Sequence, residues 1–251
     1  MGVRRVKTGI RGFDKLVEGG IPKGMCILLA GSPGTAKTLF GLEFLYNGVT
    51  KWNEKGLYVT IGQNIDVLKG QAASFGWNLD KLASKGLDIM SLSTKELDQN
   101  VAELIVKRVK QGKYVRLVVD SLTTLSLNAP LFRSLNDISV IDIMKTKSIF
   151  SPPMGGESVI QSFIYNFIGS LHQLTDCTSL LISESSDKGD YISRDQVSEF
   201  VCDGIIQLTF ESMGGEFSRS LLVRKMRQTR NNEDVHPLEI SPKGLVVHDI
   251  K

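Results

Sequence analysis

Apolar residues recur along the chain in two rhythms, and the alternation between them sets out an architecture. Largely apolar runs at 25–30, 57–61, 87–90, 115–121 and 178–183 have strand length and read as buried strands. Between them the spacing lengthens to that of a helix. Leu39, Leu42, Phe44 and Leu45 predict a helix reaching about residue 52, and Val67, Leu68, Ala72 and Phe75 predict one over 64–75. Leu97, Val101, Leu104, Ile105 and Val109 predict another over 95–111, and helical spacing returns over 157–174. A short helical patch surrounds Phe13–Leu16. Strand and helix in alternation imply a parallel sheet with helices on both faces. The ending differs: runs at 203–210 and 217–226 flank Met213-Gly214-Gly215-Glu216, a hairpin signal, and 237–248 forms a last pairing around Pro242-Lys243-Gly244.

Two stretches break the rhythm. Residues 128–157 carry Ala129-Pro130, Ser151-Pro152-Pro153 and Gly155-Gly156, and 137–144 between them reads equally as strand or helix. Residues 185–198 form a second polar loop. Long loops of this kind in an α/β unit are usually functional. With 251 residues and no internal repeat, the chain fits a single domain over 1–251, with an insertion at 128–157.

Composition narrows this only a little. A net charge of +3 neither demands nor excludes nucleic acid. Cys26, Cys177 and Cys202 show no C-x-x-C spacing, and Cys26 and Cys202 sit in or beside apolar runs, so they read as core. His172, His236 and His248 lack metal spacing as well. The longest apolar runs are strand-sized, so no membrane span is expected and a reduced cytoplasm is the default.

The candidate chemistry lies where the first long strand meets the first long helix. Gly31, Ser32, Pro33, Gly34, Thr35, Ala36, Lys37 and Thr38 follow the pattern of a phosphate-binding loop, and Leu39 begins the amphipathic run. Such a loop turns backbone N–H groups toward an anion, so it must be nearly free of side chains. Lys37 adds a charge for the outer phosphates, the Thr38 hydroxyl a ligand for Mg²⁺, and the helix start a favourable dipole. Ala36 stands where the pattern has its second glycine. It costs little at negative φ and a good deal at positive φ. Asp120, closing a β-branched strand, fits the acid that holds Mg²⁺ opposite Thr38; taken alone, it is also an ordinary strand end.

Together with that loop, Thr8-Gly9, Gly19-Gly20-Ile21-Pro22, Tyr58-Val59-Thr60, Ser74-Phe75-Gly76-Trp77, Val119-Asp120-Ser121-Leu122-Thr123 and Lys225-Met226-Arg227-Gln228-Thr229 make up a wider pattern. It resembles the KaiC-like branch of the RecA superfamily, and within it archaeal single-domain KaiC-like proteins, also described as RadA paralogues. The resemblance covers nearly the whole chain outside 128–157. It implies a RecA-like P-loop NTPase core, mainly parallel, with ATP and Mg²⁺ bound between neighbours of a homo-oligomeric ring, usually a hexamer. It also implies that Lys225 and Arg227 reach the neighbour's γ-phosphate, an arginine-finger arrangement. Without the resemblance, 224–227 reads as a solvated strand end.

Further positions depart from the family pattern. Gln228 and Asn231 replace its Gly and His. The glutamate general base, often a Glu-Glu pair, is replaced by Gly62-Gln63. A glutamine orients water but cannot take its proton, so slow hydrolysis is expected, with Gln63 positioning the water or Glu184 standing in as the acid. Two uses of the nucleotide remain open. In the first, a recombinase paralogue of DNA repair binds single-stranded DNA through 128–157 (Phe132, Arg133, Lys145, Lys147, Phe150) and 185–198 (Lys188, Tyr191, Arg194). The acids Asp137, Asp142, Glu157, Asp187, Asp190 and Asp195 nearly cancel that charge. In the second, a nucleotide-gated scaffold binds a protein partner. The lack of RadA's small N-terminal helical domain argues against strand exchange.

Overall fold

Alternate residues of each buried strand diverge to opposite faces, and each face has its own helices. In strand β3 (Cys26–Gly31), Ile27 and Leu29 pack on one side while Cys26, Leu28 and Ala30 pack on the other. The computed structural model describes residues 2–95, 97–98, 100–128, 156–185, 191–213 and 216–250. The insertion expected at 128–157 therefore lies almost wholly outside the described residues, as does Lys188.

The chain opens with a two-stranded ribbon, β1 (Arg5–Val6) against β2 (Ile21–Pro22), that bracket helix α1 (Phe13–Leu16). After β3 come α2 (Lys37–Trp52), β4 (Gly56–Ile61), α3 (Ile65–Ala73), α4 (Leu79–Ala83), β5 (Leu87–Leu92), α5 (Val101–Gly112) and β6 (Arg116–Asp120). Then follow α6 (Leu122–Leu127), α7 (Gly156–His172), β7 (Thr178–Glu184), α8 (Ser198–Val201), β8 (Gly204–Met213), β9 (Glu216–Met226), β10 (His236–Ser241) and β11 (Gly244–Val247). The main sheet runs β11-β10-β9-β8-β3-β7-β6-β4-β5. It is parallel from β5 to β8 and antiparallel from β8 to β11. Helices α1–α4 cover the face that carries Ile27, Tyr58 and Val118; α5–α7 cover the face that carries Leu28, Val59 and Val119. This is the mainly parallel, RecA-like α/β core with a C-terminal antiparallel extension that the sequence predicts.

Local chemistry explains where boundaries differ from the periodicity. Helix α5 starts at Val101, not 95, because Asp98 Oδ1 accepts the Asn100 N–H at 2.8 Å and turns the chain there. The short α4, which periodicity misses, exists because Asn78 caps it, accepting the Lys81 N–H at 3.0 Å. The ribbon β1–β2 has too few residues to show any period.

One buried cation fastens the edge of α2 to the sheet. Arg116, at the start of β6, is fully buried. It donates to the carbonyls of Phe44 (2.7 Å) and Lys7 (2.8 Å), and its Nε donates to Glu54 Oε2 at 2.8 Å. Its guanidinium lies 4.6 Å from the Phe44 ring centre and 5.1 Å from that of Trp52. Helix α2 carries Gly48 at this point because a Cβ would collide with the guanidinium.

Candidate nucleotide site

The parallel strands β3, β6 and β7 all end on one rim of the sheet, bringing Gly31, Asp120 and Glu184 together. The chain leaves β3 through a tight loop and enters α2 at Lys37. A Cβ on Gly31 would lie 2.5 Å from the Leu208 carbonyl oxygen and 2.7 Å from Thr35 Oγ1, so only glycine fits there. Thr35 is fully buried and closes the loop by donating to the Ser32 carbonyl at 2.8 Å. Lys37 Nζ donates to the carbonyls of Gly31 and Ser32, both at 2.8 Å. Burial draws its pKa down, against the pull of Asp120 and Glu184, which favour the charged form.

Thr38 Oγ1 donates to Asp120 Oδ2 at 2.8 Å, so the first turn of α2 and the end of β6 present their oxygens at one point. Tyr58, buried in β4, donates its hydroxyl to the same Oδ2 at 2.6 Å. Burial first, and then the Asp120 charge, push the phenol well above its usual pKa, so it remains a donor. Beside them Thr60, paired in register with Asp120, is buried with its Oγ1 lacking a hydrogen-bond partner. Hard oxygen donors clustered below a glycine-walled loop fit Mg²⁺ and phosphate. The loop borders a cavity of about 400 Å³ that is also lined by Gln71, Phe75, Asp120, Glu184 and Ile240.

The helix begins at a left-handed residue. Ala36 has φ 76° and ψ 25°, a left-handed conformation that glycine adopts freely. Cβ crowding there costs about 1–2 kcal/mol. Ala36→Gly is therefore expected to raise the unfolding free energy by about 1 kcal/mol in urea denaturation, whereas a loss would contradict the backbone described.

A family model described as "ATPase: KaiC" matches residues 6–251. The chain belongs to the KaiC family of ATPases. A UPF0273 protein of Pyrococcus horikoshii is 34% identical over 253 residues, covering 99% of this chain and 95% of its own length. The circadian clock oscillator protein KaiC of Thermosynechococcus vestitus is 30% identical over 249 residues; these cover 95% of this chain but only 43% of the longer relative. The crystal structure of a KaiC-like protein from Pyrococcus horikoshii superposes with a TM-score of 0.79 at 31% identity, covering 98% of this chain and all of that one.

Not every expected residue of this KaiC-family chain gathers at the rim. Glu184 lines the cavity and pairs with Arg194 Nη1 at 3.1 Å. Gln63 is half-buried just past β4, beside the Asp120 strand but outside the cavity lining. Lys225 and Arg227 lie at the opposite edge. Strand β9 runs antiparallel to β8, so Met226 pairs with Gly204 level with Ile27, one strand length from Gly31. That separation is about 16 Å, too far for either side chain to serve its own loop. The sequence also gave no hint of Arg219. Its Nε donates to the Gly34 carbonyl at 2.9 Å while its guanidinium lies 4.3 Å from the centre of the Phe210 ring, bracing the loop from 185 residues away.

Proposed function

We propose that this chain binds MgATP in the cavity at the ends of β3 and β6, and that it hydrolyses ATP slowly as one member of a ring whose sites lie between neighbours. The observation that carries the reading is the Thr38–Asp120 contact directly under Lys37, which joins the metal ligand and the phosphate cation in one loop. Residues 31–39 cradle the phosphates, Thr38 and Asp120 hold Mg²⁺, and Phe75 and Ile240 wall the cavity beyond. Bound Mg²⁺ supplies charge neutralisation on the phosphate oxygens. Lys225 and Arg227 serve the adjoining copy, which their distance from their own loop supports. The ring is taken to be a hexamer. Free, buried Cys26, Cys177 and Cys202 suit a reducing cytoplasm.

Gln63 flanks the attacking water without accepting its proton, and the bound state outlasts turnover. Gln63→Glu, which restores a base, is expected to raise the ATPase rate about a hundredfold. An unchanged or lower rate would remove Gln63 from the reaction and leave Glu184 as the acid to test.

The slow site suits a nucleotide-gated scaffold with a protein partner. Glu184 borders the cavity and is bonded to Arg194 twice, once through each side chain and once from the Arg194 N–H to its carbonyl at 3.1 Å. Nucleotide state thereby reaches the loop that follows β7. The DNA-repair reading rests on Tyr191, exposed in that same loop, but Arg194 is already neutralised by Glu184. Labelled single-stranded oligonucleotide at about 50 mM salt separates the two: ATP-dependent binding would favour DNA, and none favours the scaffold.

A further inference from the structure

Lys225 and Arg227 stand two positions apart at the end of β9, so two like charges occupy one small area. Such a pair repels unless something nearby balances it. Lys225 is half-buried, and burial and then Arg227 hold its pKa below the usual value. Its Nζ donates to the Cys202 carbonyl at 2.7 Å. Arg227 is tied twice to the next residue, Asp203. Its backbone N–H donates to the Asp203 carbonyl at 2.9 Å, and its Nη1 donates to Asp203 Oδ1 at 2.9 Å.

Asp203 is itself anchored by the sheet. Its N–H donates to the Cys26 carbonyl at 2.8 Å, and the Cys26 N–H donates to Oδ2 at 3.0 Å, so β3 grips it at both ends. His172 Nε2, at the end of α7, lies 3.0 Å from the same Oδ2. One carboxylate oxygen thus faces the scaffold and the other faces Arg227. The side chain of Asp203 is 12% exposed and that of Arg227 is 53% exposed, so a largely buried anion presents a held cation to the surface.

We propose that Asp203 is the positioning residue of the shared site: anchored to β3, it holds Arg227 beside Lys225 in the pose offered to the adjoining subunit's phosphates. This rests on the shared-site reading above. The strand that carries one subunit's phosphate loop at its exit thereby carries, at its entrance, the anchor for the cations serving the next site. No step of the reaction passes through Asp203; it acts through the cations it holds.

The test is a double-mutant cycle on the full-length protein with Mg²⁺ and ATP. Asp203→Asn keeps the size and the backbone bonds but removes the charge. It is expected to lower kcat about tenfold with KM within about twofold, because each phosphate loop is untouched. In an Arg227→Ala background the same substitution is expected to change nothing further, since its target is gone. His172→Ala leaves Oδ1 and Arg227 in place and is expected to stay within about twofold of wild type. Should Asp203→Asn fail to fold, Asp203→Ser is read in the same way.

A full additive loss in the Arg227→Ala background would make Asp203 a merely structural residue and overturn the proposal. So would a His172→Ala defect as large as that of Asp203→Asn, or an Asp203→Asn protein as fast as wild type. A wild-type rate in Arg227→Ala itself would instead bring down the shared-site reading, so the two failures are distinguishable.

Discussion

Arg227→Ala is expected to lower ATP turnover about a thousandfold while leaving ATP affinity within a few fold of wild type. The asymmetry follows from the position of the side chain. Arg227 sits a strand length from its own phosphate loop, so it adds nothing to the site that the same chain builds from Lys37, Thr38 and Asp120. In the shared site proposed above, its cation would meet a phosphate only across an interface, where charge developing in the transition state is desolvated and a missing cation is felt most. Lys225→Ala should follow in the same direction with a smaller loss, because an ammonium lacks the planar fork of a guanidinium. Steady-state rates and equilibrium nucleotide binding, measured on the same preparations, check both halves of the statement. Equal losses of rate and affinity would place Arg227 in ground-state binding instead.

Arg116→Ala is expected to cost about 3–5 kcal/mol of stability, the largest effect on folding of any single substitution discussed. The wild-type residue is fully buried, and its partners are the carbonyls of Phe44 and Lys7 and the carboxylate of Glu54. Truncation leaves the two carbonyls without a donor and opens a cavity between the Phe44 and Trp52 rings. Glu54→Gln should cost less, because the amide oxygen still accepts from Arg116 Nε and the guanidinium keeps the Phe44 and Lys7 carbonyls, although it loses its counter-charge. Denaturant midpoints for the pair give the comparison. A cost below about 1 kcal/mol for Arg116→Ala would mean the guanidinium is not the fastener between α2, the N-terminal segment and β6.

The two networks also show where the sequence is legible and where it is not. Gly31, Lys37, Thr38 and Asp120 are readable because each reports a local requirement: a bare loop, a helix start, a strand end. The sheet is readable for a related reason, since buried parallel strands leave largely apolar runs between helical spacings. The meaning of Ala36 needed the backbone, because the same letter is harmless or costly depending on the sign of φ. Arg116, Arg219 and Asp203 left no signal at all, and Tyr58 entered only as part of the family pattern, with no sign of its bond to Asp120. Each acts through partners far along the chain, Arg219 on Gly34 and Asp203 on Cys26 for example, and a polar residue in a strand carries no mark of what lies opposite. The single turn of helix that Asn78 caps is too short to show a period.

The central claim, that each site is built from two copies of the chain, is tested most directly by mixing two inactive variants. Lys37→Ala destroys the phosphate loop and keeps the cations; Arg227→Ala does the reverse. Co-assembled in equal amounts, they leave about a quarter of head-to-tail interfaces with an intact loop facing an intact Arg227. The account predicts that the mixture regains about that fraction of wild-type ATPase activity. A mixture no faster than its two parents would contradict it.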